Sequence, residues 1–278
     1  MTVLTRVARA AFDPVAATYD EEFTHTPIAQ LLRRAVWARL RVNFRAHFRA
    51  GMRVLELCCG TGEDALYLAR QGVQVVATDA SANMLSITRE KVTLAGVSEM
   101  IETRLLDMNA LDGSVFAPAS FDGVLSNFGA LNCVADLSDL FVRLAQWTAP
   151  GARAVLVVMG PFYPWEIARH VARFRLREAF RRFARNGAVA RVGGNEVRVW
   201  YPSPRRLMRC AAPHFRPLRL SGLGIFTPPM PVPKTGNPPS ARLLGDVVRR
   251  AARLERRVAH LFPFNHCGDH YILEMERR

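Results

Sequence analysis

Cysteine and lysine are scarce in this chain of 278 residues. The five cysteines are odd in number and none are spaced as C-x-x-C. These features exclude a disulfide framework and the usual paired-cysteine zinc ligands. We therefore expect reduced thiols, a cytoplasmic location and no bound metal. Only Lys91 and Lys234 are lysines, so arginine supplies nearly all of the 38 basic residues.

Long apolar runs are also missing. No stretch of about 18 apolar residues is present, which predicts that no helix spans a membrane. Residues 1–23 lack the apolar centre of a secretion signal. Half of the residues (50%) are apolar, enough for a sizeable core, and the length fits one large or two small domains.

The net charge of +14 is unevenly distributed. Residues 1–50 carry +4, residues 51–150 carry −6 and residues 151–278 carry +16. A preference for arginine over lysine in the coding sequence would explain the residue type but not this asymmetry. A strongly basic part indicates an anionic partner such as RNA, lipid, an acidic carrier protein or an anionic substrate.

Strand and helix patterns alternate from residue 51 to 160. Apolar runs predict strands at 53–58, 73–78, 101–106, 121–126 and 153–159. Helical patterns separate them, with Ser81 and Asp136 as predicted N-caps and Gly72 as a C-cap. This alternation predicts βαβ units and a parallel sheet, with ligands bound at the carboxyl ends of the strands.

The loop after the first predicted strand contains Gly60 and Gly62, which allow a tight turn and close approach to a ligand. The stretch from Gly60 to Ala65 reads G-x-G-x-x-A, which also fits a dinucleotide site. Glu56 disfavours that alternative, because a carboxylate at the strand end suits a ligand ammonium better than a pyrophosphate. Asp79 can accept hydrogen bonds from a ribose diol, and Asp107 from the amine of adenine. Together these groups describe S-adenosylmethionine (SAM).

Four motifs at these strand ends resemble those of class I SAM-dependent methyltransferases. They are VLELCCGTG at 54–62, VVATDAS at 75–81, LLDMNAL at 105–111 and FDGVLSNFGALN at 121–132. The resemblance covers roughly residues 12–160, and Cys58 departs from it by standing where many members have glycine. It implies a cofactor site formed by Tyr19, Glu56, Cys58, Gly60, Gly62, Asp79, Ala80, Met84, Asp107, Met108, Ser126 and Asn127. In this arrangement Tyr19 closes over SAM, Met84 packs near its adenine, and S-adenosylhomocysteine is the product.

The family fold is an α/β, Rossmann-like sheet of seven strands, mostly parallel, with a terminal antiparallel hairpin. We assign 214–223 and 269–275 to that hairpin. The predicted parts are an N-terminal helical lid segment (1–50), the SAM-binding core (51–160), a cap or substrate insertion (161–213) and the last two strands with an inserted Pro-rich loop and helix (214–278).

The basic C-terminal part contains two helical patterns. The first runs from Trp165 to Arg185 and is followed by a hairpin at 188–201. The second begins after Pro238-Pro239 with Ser240 as N-cap, and the stretch 227–239 reads as a loop. Either helix fits a cap packed on the core with its arginines in water, or a surface for an anionic partner or membrane.

The residues after the fourth strand, Ser126 to Gly129, lack the Pro-Pro-aromatic loop typical of nucleobase amino methylation, and this does not favour a nucleic-acid substrate. A hydrophobic or anionic small molecule fits better, in a pocket whose candidate residues are Phe128, Phe162, Tyr163, Trp165, Trp200 and Tyr201. A hydroxyl or carbon acceptor needs a general base, for which we select His25 and His170; His266 and His270 flank the last predicted strand. The acceptor atom and the oligomeric state stay open.

Two functions therefore remain. One is SAM-dependent methylation of a small-molecule metabolite. The other is a methyltransferase-like binding protein whose arginine-rich C-terminal face docks RNA, anionic lipid or an acidic carrier protein, by an attraction that salt would weaken.

Overall fold

The structure is a computed structural model that describes residues 11–45, 52–227 and 241–278, with the side chains of 41–45 and 241–249 left out. The predicted Pro-rich loop from residue 228 onward and the predicted N-cap Ser240 lie outside the described residues.

Seven strands form one mixed sheet in the order β3-β2-β1-β4-β5-β9-β8. The strands are β1 (Arg53–Leu57), β2 (Gln74–Asp79), β3 (Ile101–Leu105), β4 (Phe121–Ser126), β5 (Thr148–Met159), β8 (Phe215–Leu223) and β9 (His270–Arg277). The strands β1 to β5 pair in parallel, and β9 lies antiparallel between β5 and β8. The predicted Rossmann-like sheet with a terminal antiparallel hairpin is confirmed.

Helices cover both faces of this sheet. They are α1 (Pro27–Arg45), α2 (Glu63–Ala69), α3 (Ala82–Leu94), α4 (Leu137–Trp147), α5 (Pro164–Val171), α6 (Leu176–Ala179), α7 (Pro204–Ala211) and α8 (Ala241–Val258). The predicted caps form: the Ser81 hydroxyl accepts a hydrogen bond from Met84 N, and Asp136 accepts from the amides of Ser138 and Asp139.

The apolar side chains of β1, β4 and β5 alternate between two core clusters. Leu57, Val124 and Leu156 pack with α4 on one face, whereas Val54, Leu125 and Val155 pack with α1 and α2 on the other. Strands buried on both faces explain the continuous apolar runs in the sequence. None of the helices in the described part of the chain is long and apolar enough to cross a membrane.

The cap between β5 and β8 differs from the single helix predicted from Trp165 to Arg185. That prediction was wrong: α5 ends at Val171, α6 begins at Leu176, and a short 3₁₀ turn follows at Arg181–Phe183. The break is a Schellman-type ending in which Phe174 N donates to Val171 O and Arg175 N donates to His170 O. Phe174 takes the left-handed position, with φ of 56°, that glycine usually fills. Nothing in the pattern of apolar residues indicates this turn.

A two-stranded antiparallel sheet completes the cap. It consists of β6 (Ala188–Val192) and β7 (Asn195–Val199), joined at Gly193-Gly194 as expected. The second predicted basic helix is α8. Its buried Glu255 accepts hydrogen bonds from the amides of Gly224, Ile225 and Phe226, and so attaches α8 to the end of β8.

Candidate cofactor and substrate site

The loop after β1 is held against β2 and α3. Gly60 N donates to the Asp79 carboxylate at 2.9 Å, and the Thr88 hydroxyl donates to Gly60 O at 2.9 Å. A Cβ on Gly62 would lie 2.6 Å from Thr88 Cγ2, so a side chain there would push α2 and α3 apart. Gly60 carries φ of 56°, and a Cβ at this position would lie 3.8 Å from the Tyr19 ring, in ordinary van der Waals contact.

Asp79 ends β2 and lines the cleft above this loop. Its two oxygens accept from Gly60 N and Ser81 N, each at 2.9 Å. Burial raises the pKa of Asp79, and these amide hydrogen bonds oppose that rise. Each carboxylate oxygen has a second lone pair. The residue can therefore still accept hydrogen bonds from a ligand diol.

The cleft has a volume of about 130 Å³ and gathers many of the predicted cofactor residues. Those lining it are Tyr19, Cys58, Gly60, Asp79, Ala80, Met84 and Asn127. Residues that the sequence reasoning did not select also line it, among them Phe12, Arg33, Asp64 and Cys133. The site thus combines strand-end residues with the N-terminal segment.

Five predicted cofactor residues lie away from the cleft lining: Glu56, Gly62, Asp107, Met108 and Ser126. Glu56 is buried within β1, and its Oε2 has no hydrogen-bond partner among the residues that the structure describes. Burial raises its pKa well above the usual range. Asp107 accepts a hydrogen bond from Asn109 N at 2.8 Å, and Met108 packs in the core. Their ligand roles stay predictions.

The N-terminal segment, here residues 11–24, is fastened over the cleft by two aspartates. The Asp13 carboxylate accepts from the Ser81 hydroxyl at 2.5 Å, and the Asp20 carboxylate accepts from the Thr61 hydroxyl at 2.6 Å. Tyr19, between them, is half-buried, and desolvation raises the pKa of its phenol to about 12. The phenol is therefore a hydrogen-bond donor at neutral pH.

Arg33 of α1 brings a positive charge to the cleft. Its guanidinium donates to Asp64 at 2.5 Å and lies 4.9 Å from the centre of the Phe128 ring. Asp64 also accepts from Trp37 Nε1 at 2.6 Å and from the Asn127 amide at 2.9 Å. Asp64 lies two residues after Gly62 in the glycine motif, which is the signal that could have selected it. The position of Arg33 depends on how α1 packs and has no such signal.

Asp20, His25 and Glu63 form a group whose ligand atoms lie within 4.8 Å of one another. The Lys91 ammonium lies 2.5 Å from Asp20 and 2.8 Å from Glu63. This ammonium pairs with both carboxylates and offsets one of their two negative charges.

A larger cavity of about 630 Å³ adjoins the cleft beneath the cap. The two share seven lining residues: Phe12, Tyr19, Thr24, Arg33, Phe128, Gly129 and Cys133. Of the predicted substrate residues, Phe128, Tyr163 and Tyr201 line the cavity. Phe162, Trp165 and Trp200 do not; Phe162 and Trp165 are exposed, and Trp200 N donates to Asn132 O at 2.8 Å.

Arg182 holds the cap against the sheet. Its guanidinium is buried, lies 2.6 Å from Glu166 and 2.8 Å from Asp269, and sits about 5 Å from the ring centres of Tyr163 and Tyr201. Burial alone would raise the pKa of Asp269, but the adjacent His270 and Arg182 hold that pKa well below its usual range. Asp269 is thus an anion wherever the protein is folded at neutral pH.

His270, at the start of β9, is the histidine that lines the larger cavity. Its Nδ1 lies 3.3 Å from the Asp269 carboxylate, without the angle of a hydrogen bond, and its ring meets Phe128 edge-on at 5.5 Å. The two selected histidines are elsewhere. His25 is half exposed with Nε2 4.0 Å from Glu63, and His170 lies on α5; the lining of the cleft and of the larger cavity includes neither. Sequence reasoning noted His270 beside the last strand but did not select it.

The strand order, the glycine loop after β1 and the acid at the end of β2 define the class I SAM-dependent methyltransferase fold. Comparison with known proteins agrees. Residues 54–151 match the model of the methyltransferase domain family, and this part of the chain is therefore similar to methyltransferase domains.

Two curated relatives illustrate the likeness in sequence. The ubiquinone/menaquinone biosynthesis C-methyltransferase UbiE of Methylococcus capsulatus is 30% identical over 154 residues, which cover 54% of this chain and 59% of that protein. The 2-phytyl-1,4-naphtoquinone methyltransferase of Synechococcus elongatus is 32% identical over 157 residues, 55% of this chain and 64% of that protein. Each match spans less than two-thirds of the relative.

The likeness in structure extends further along the chain. A putative SAM-dependent methyltransferase from Listeria monocytogenes superposes with a TM-score of 0.56 over 87% of this chain and 97% of its own, at 16% identity. At this identity the comparison establishes the fold.

Proposed function

We propose that this protein transfers the methyl group of SAM to a small molecule with a largely apolar, aromatic body. The observation that carries the proposal is the shared wall of the two cavities. A cofactor over Asp79 and a substrate beneath the cap would meet at Tyr19, Phe128 and Cys133.

The residues of the cleft fit SAM. The Asp79 carboxylate suits its ribose diol, and the positive φ of Gly60 gives the tight turn that lets the loop backbone approach a ligand. The Arg33 guanidinium, held by Asp64, suits the carboxylate of its methionine part. SAM supplies an electrophilic methyl group on a sulfonium and departs as S-adenosylhomocysteine.

The protein's contribution is orientation, exclusion of water and removal of a proton. Tyr19 and the rest of the fastened N-terminal segment cover the cleft, and the cap covers the substrate cavity. Holding acceptor and methyl donor in line within such an enclosure supplies most of the rate enhancement of a displacement reaction. We assign His270 as the general base that takes the proton of a hydroxyl or activated carbon acceptor as the new bond to the methyl carbon forms. Asp269, 3.3 Å from its Nδ1, stabilises the imidazolium.

The cavity lining indicates the class of acceptor. Phe23, Ile28, Phe128, Val192 and Val197 present apolar surface, while Arg169 and Arg181 add positive charge at one side. An aromatic or isoprenoid molecule with a hydroxyl or an acidic carbon fits this lining. The quinone-biosynthetic C-methyltransferase activity named for the Methylococcus relative is consistent with such an acceptor.

The test is a search for the methylated product. Purified protein and SAM labelled in its methyl group are incubated with an extract of the source cells, and the label is followed into organic-soluble and acid-precipitable fractions. We expect label in the organic-soluble fraction. Label confined to precipitated nucleic acid or protein would contradict a small-molecule substrate.

A pair of variants on β6 separates the two cavities. Ala190 lines the substrate cavity but not the cleft, whereas Ala188 on the same strand lines neither. Ala190→Phe should abolish labelling and leave binding of S-adenosylhomocysteine unchanged, and Ala188→Phe should preserve both. Full labelling by Ala190→Phe would exclude this cavity as the substrate site.

A further inference from the structure

The segment from Val171 to Arg185, here called the cap tip, projects from the protein. All of its residues are exposed except Ala179 and Arg182. Arg182 anchors it through Glu166 and Asp269. The cap tip is thus a surface element that is joined to the rest of the protein through the two ion pairs of Arg182.

Five large apolar side chains of the cap tip face solvent. Phe174 is 94% exposed, and the other four are between 42% and 59% exposed. These four are Val171, Leu176, Phe180 and Phe183. The surfaces of globular proteins routinely carry single exposed apolar residues. Five such residues within one short segment mark a contact surface.

The backbone conformation and the exposure of Phe174 both lower the stability of the free protein. It occupies the left-handed position of the helix ending, with φ of 56°, where glycine carries no steric cost. A bulky residue held in this conformation with its ring in water gains nothing from the fold. Such strain points to a role for the ring outside the fold.

Basic residues surround these apolar side chains. Exposed arginines occupy positions 169, 173, 175, 177, 181 and 185, and the single exposed acid within the cap tip is Glu178. Among the residues that the structure describes, Arg173, Arg175 and Arg177 have no carboxylate within ion-pair distance. The surface would repel a second copy of itself, so self-association does not explain it.

We propose that the cap tip docks the protein on an anionic lipid bilayer, with Phe174 inserted at the headgroup level and the arginines bound to lipid phosphates. Apolar side chains interleaved with arginine are the composition of interfacial membrane segments. The rings of Phe174, Phe180 and Phe183 suit bases as well as lipid, but Val171 and Leu176 add apolar surface that base stacking does not bury, which favours lipid over RNA. The proposal does not depend on the proposed methylation.

Docking would place the substrate cavity at the bilayer. Arg181 of the cap tip and Arg169 of α5, both exposed, also line the cavity of about 630 Å³. The cavity therefore reaches the surface beside the proposed contact. A lipophilic molecule dissolved in the bilayer could enter it without crossing water.

The test is co-sedimentation of the full-length protein with vesicles. Vesicles of phosphatidylcholine alone are compared with vesicles containing about one-third phosphatidylglycerol, at low salt and at about 0.5 M salt. We expect binding to the anionic vesicles that weakens strongly with salt, because the Debye length falls from about 10 Å at 0.1 M to about 3 Å at 1 M. Absence of binding to anionic vesicles at low salt would overturn the proposal.

Phe174→Gly separates docking from folding. The change removes the strained side chain, so the thermal midpoint should stay constant or rise, while vesicle affinity should fall about tenfold from the lost burial of one large apolar side chain. The matched control is Leu94→Gly at the last residue of α3, a side chain 81% exposed on a helix that packs against β2 and β3. It should leave vesicle affinity unchanged.

The charged part is tested with Arg173→Gln/Arg177→Gln, against Arg70→Gln/Arg209→Gln as a control with equal loss of charge from exposed sites elsewhere. Only the first pair should weaken binding, by about tenfold or more. Equal weakening by both pairs, or unchanged binding by Phe174→Gly, would overturn a specific contact. Binding of single-stranded RNA without binding of anionic vesicles would replace lipid by nucleic acid as the partner.

Discussion

Replacing Arg182 by methionine should loosen the attachment of the cap to the sheet. Methionine keeps much of the apolar stem but removes the guanidinium from the buried Glu166 carboxylate, 2.6 Å away, and from the partly exposed Asp269 carboxylate, 2.8 Å away. Breaking a buried ion pair by removing one partner typically costs about 3–5 kcal/mol. Because Arg181 still pairs with Glu166, we expect a cost at the lower end, about 3 kcal/mol. At about 2–4 °C per kcal/mol for a chain of this size, the thermal midpoint should fall by about 6–12 °C.

The neighbouring arginine provides the control. Arg181 pairs with the same Glu166 at 2.7 Å, but its own side chain is partly exposed. An exposed pair contributes about 0–1 kcal/mol, so Arg181→Met should lower the midpoint by no more than about 4 °C. Equal effects of the two substitutions would refute the assignment of Arg182 as the attachment of the cap.

The deficit of Arg182→Met should also depend on pH. In the wild-type protein burial would raise the pKa of Glu166, but Arg182 and Arg181 hold it below its usual value; His270 and Arg182 lower the pKa of Asp269 in the same way. A lowered folded-state pKa stabilises the protein above the unfolded-state pKa, and this stabilisation is lost as pH falls through the folded-state pKa. Removing Arg182 raises both folded-state pKa values, so the deficit of the variant should be full at neutral pH and should shrink as pH falls through the carboxyl range. Unfolding measured at pH 4 and pH 7 should therefore show the smaller deficit at pH 4, and a deficit independent of pH would contradict an ionic origin.

Three further changes test the site. Asp79→Ala should weaken binding of S-adenosylhomocysteine about 100-fold. The change removes a charged acceptor, whose hydrogen bonds contribute about 1.5–3 kcal/mol each, and leaves the Gly60 amide without that acceptor. An unchanged affinity in calorimetry would exclude Asp79 from the cofactor site. His270→Gln should lower the methylation rate by a factor of about 10²–10⁴ and preserve cofactor affinity, whereas His25→Gln should retain the rate. A labelling assay in which His25→Gln loses the rate and His270→Gln retains it would return the role of general base to His25. Glu56→Gln should raise the thermal midpoint more at pH 8 than at pH 5. Because the folded-state pKa of Glu56 is raised, its ionisation destabilises the fold as pH rises above the unfolded-state carboxyl pKa, and glutamine removes that cost. An equal change at both pH values would show that Glu56 is stably ionised in the fold.

The core of the fold was predictable because its patterns are local. The strand β4 begins at Phe121 and ends at Ser126 as predicted, and Ser81 and Asp136 cap their helices. Each of these features depends on residues within a few positions of one another. The acid at the end of β2 was predictable for the same reason, since parallel strands deliver their carboxyl ends to one edge of the sheet.

Long-range register explains what the sequence did not reveal. His270 reaches the substrate cavity because β9 runs antiparallel to β5 and pairs His270 with Met159, and no local pattern encodes that pairing. Arg33 likewise reaches the cleft through the packing of α1. The break at Phe174 was missed for a different reason, because the position calls for glycine and the chain places a phenylalanine there.

Calorimetric titration of the protein with S-adenosylhomocysteine, with NAD as the competing dinucleotide, tests the central claim most directly. We expect binding in the micromolar range for S-adenosylhomocysteine and no heat with NAD. Saturable binding of NAD with no binding of S-adenosylhomocysteine would contradict the account, and would assign the glycine loop to a dinucleotide.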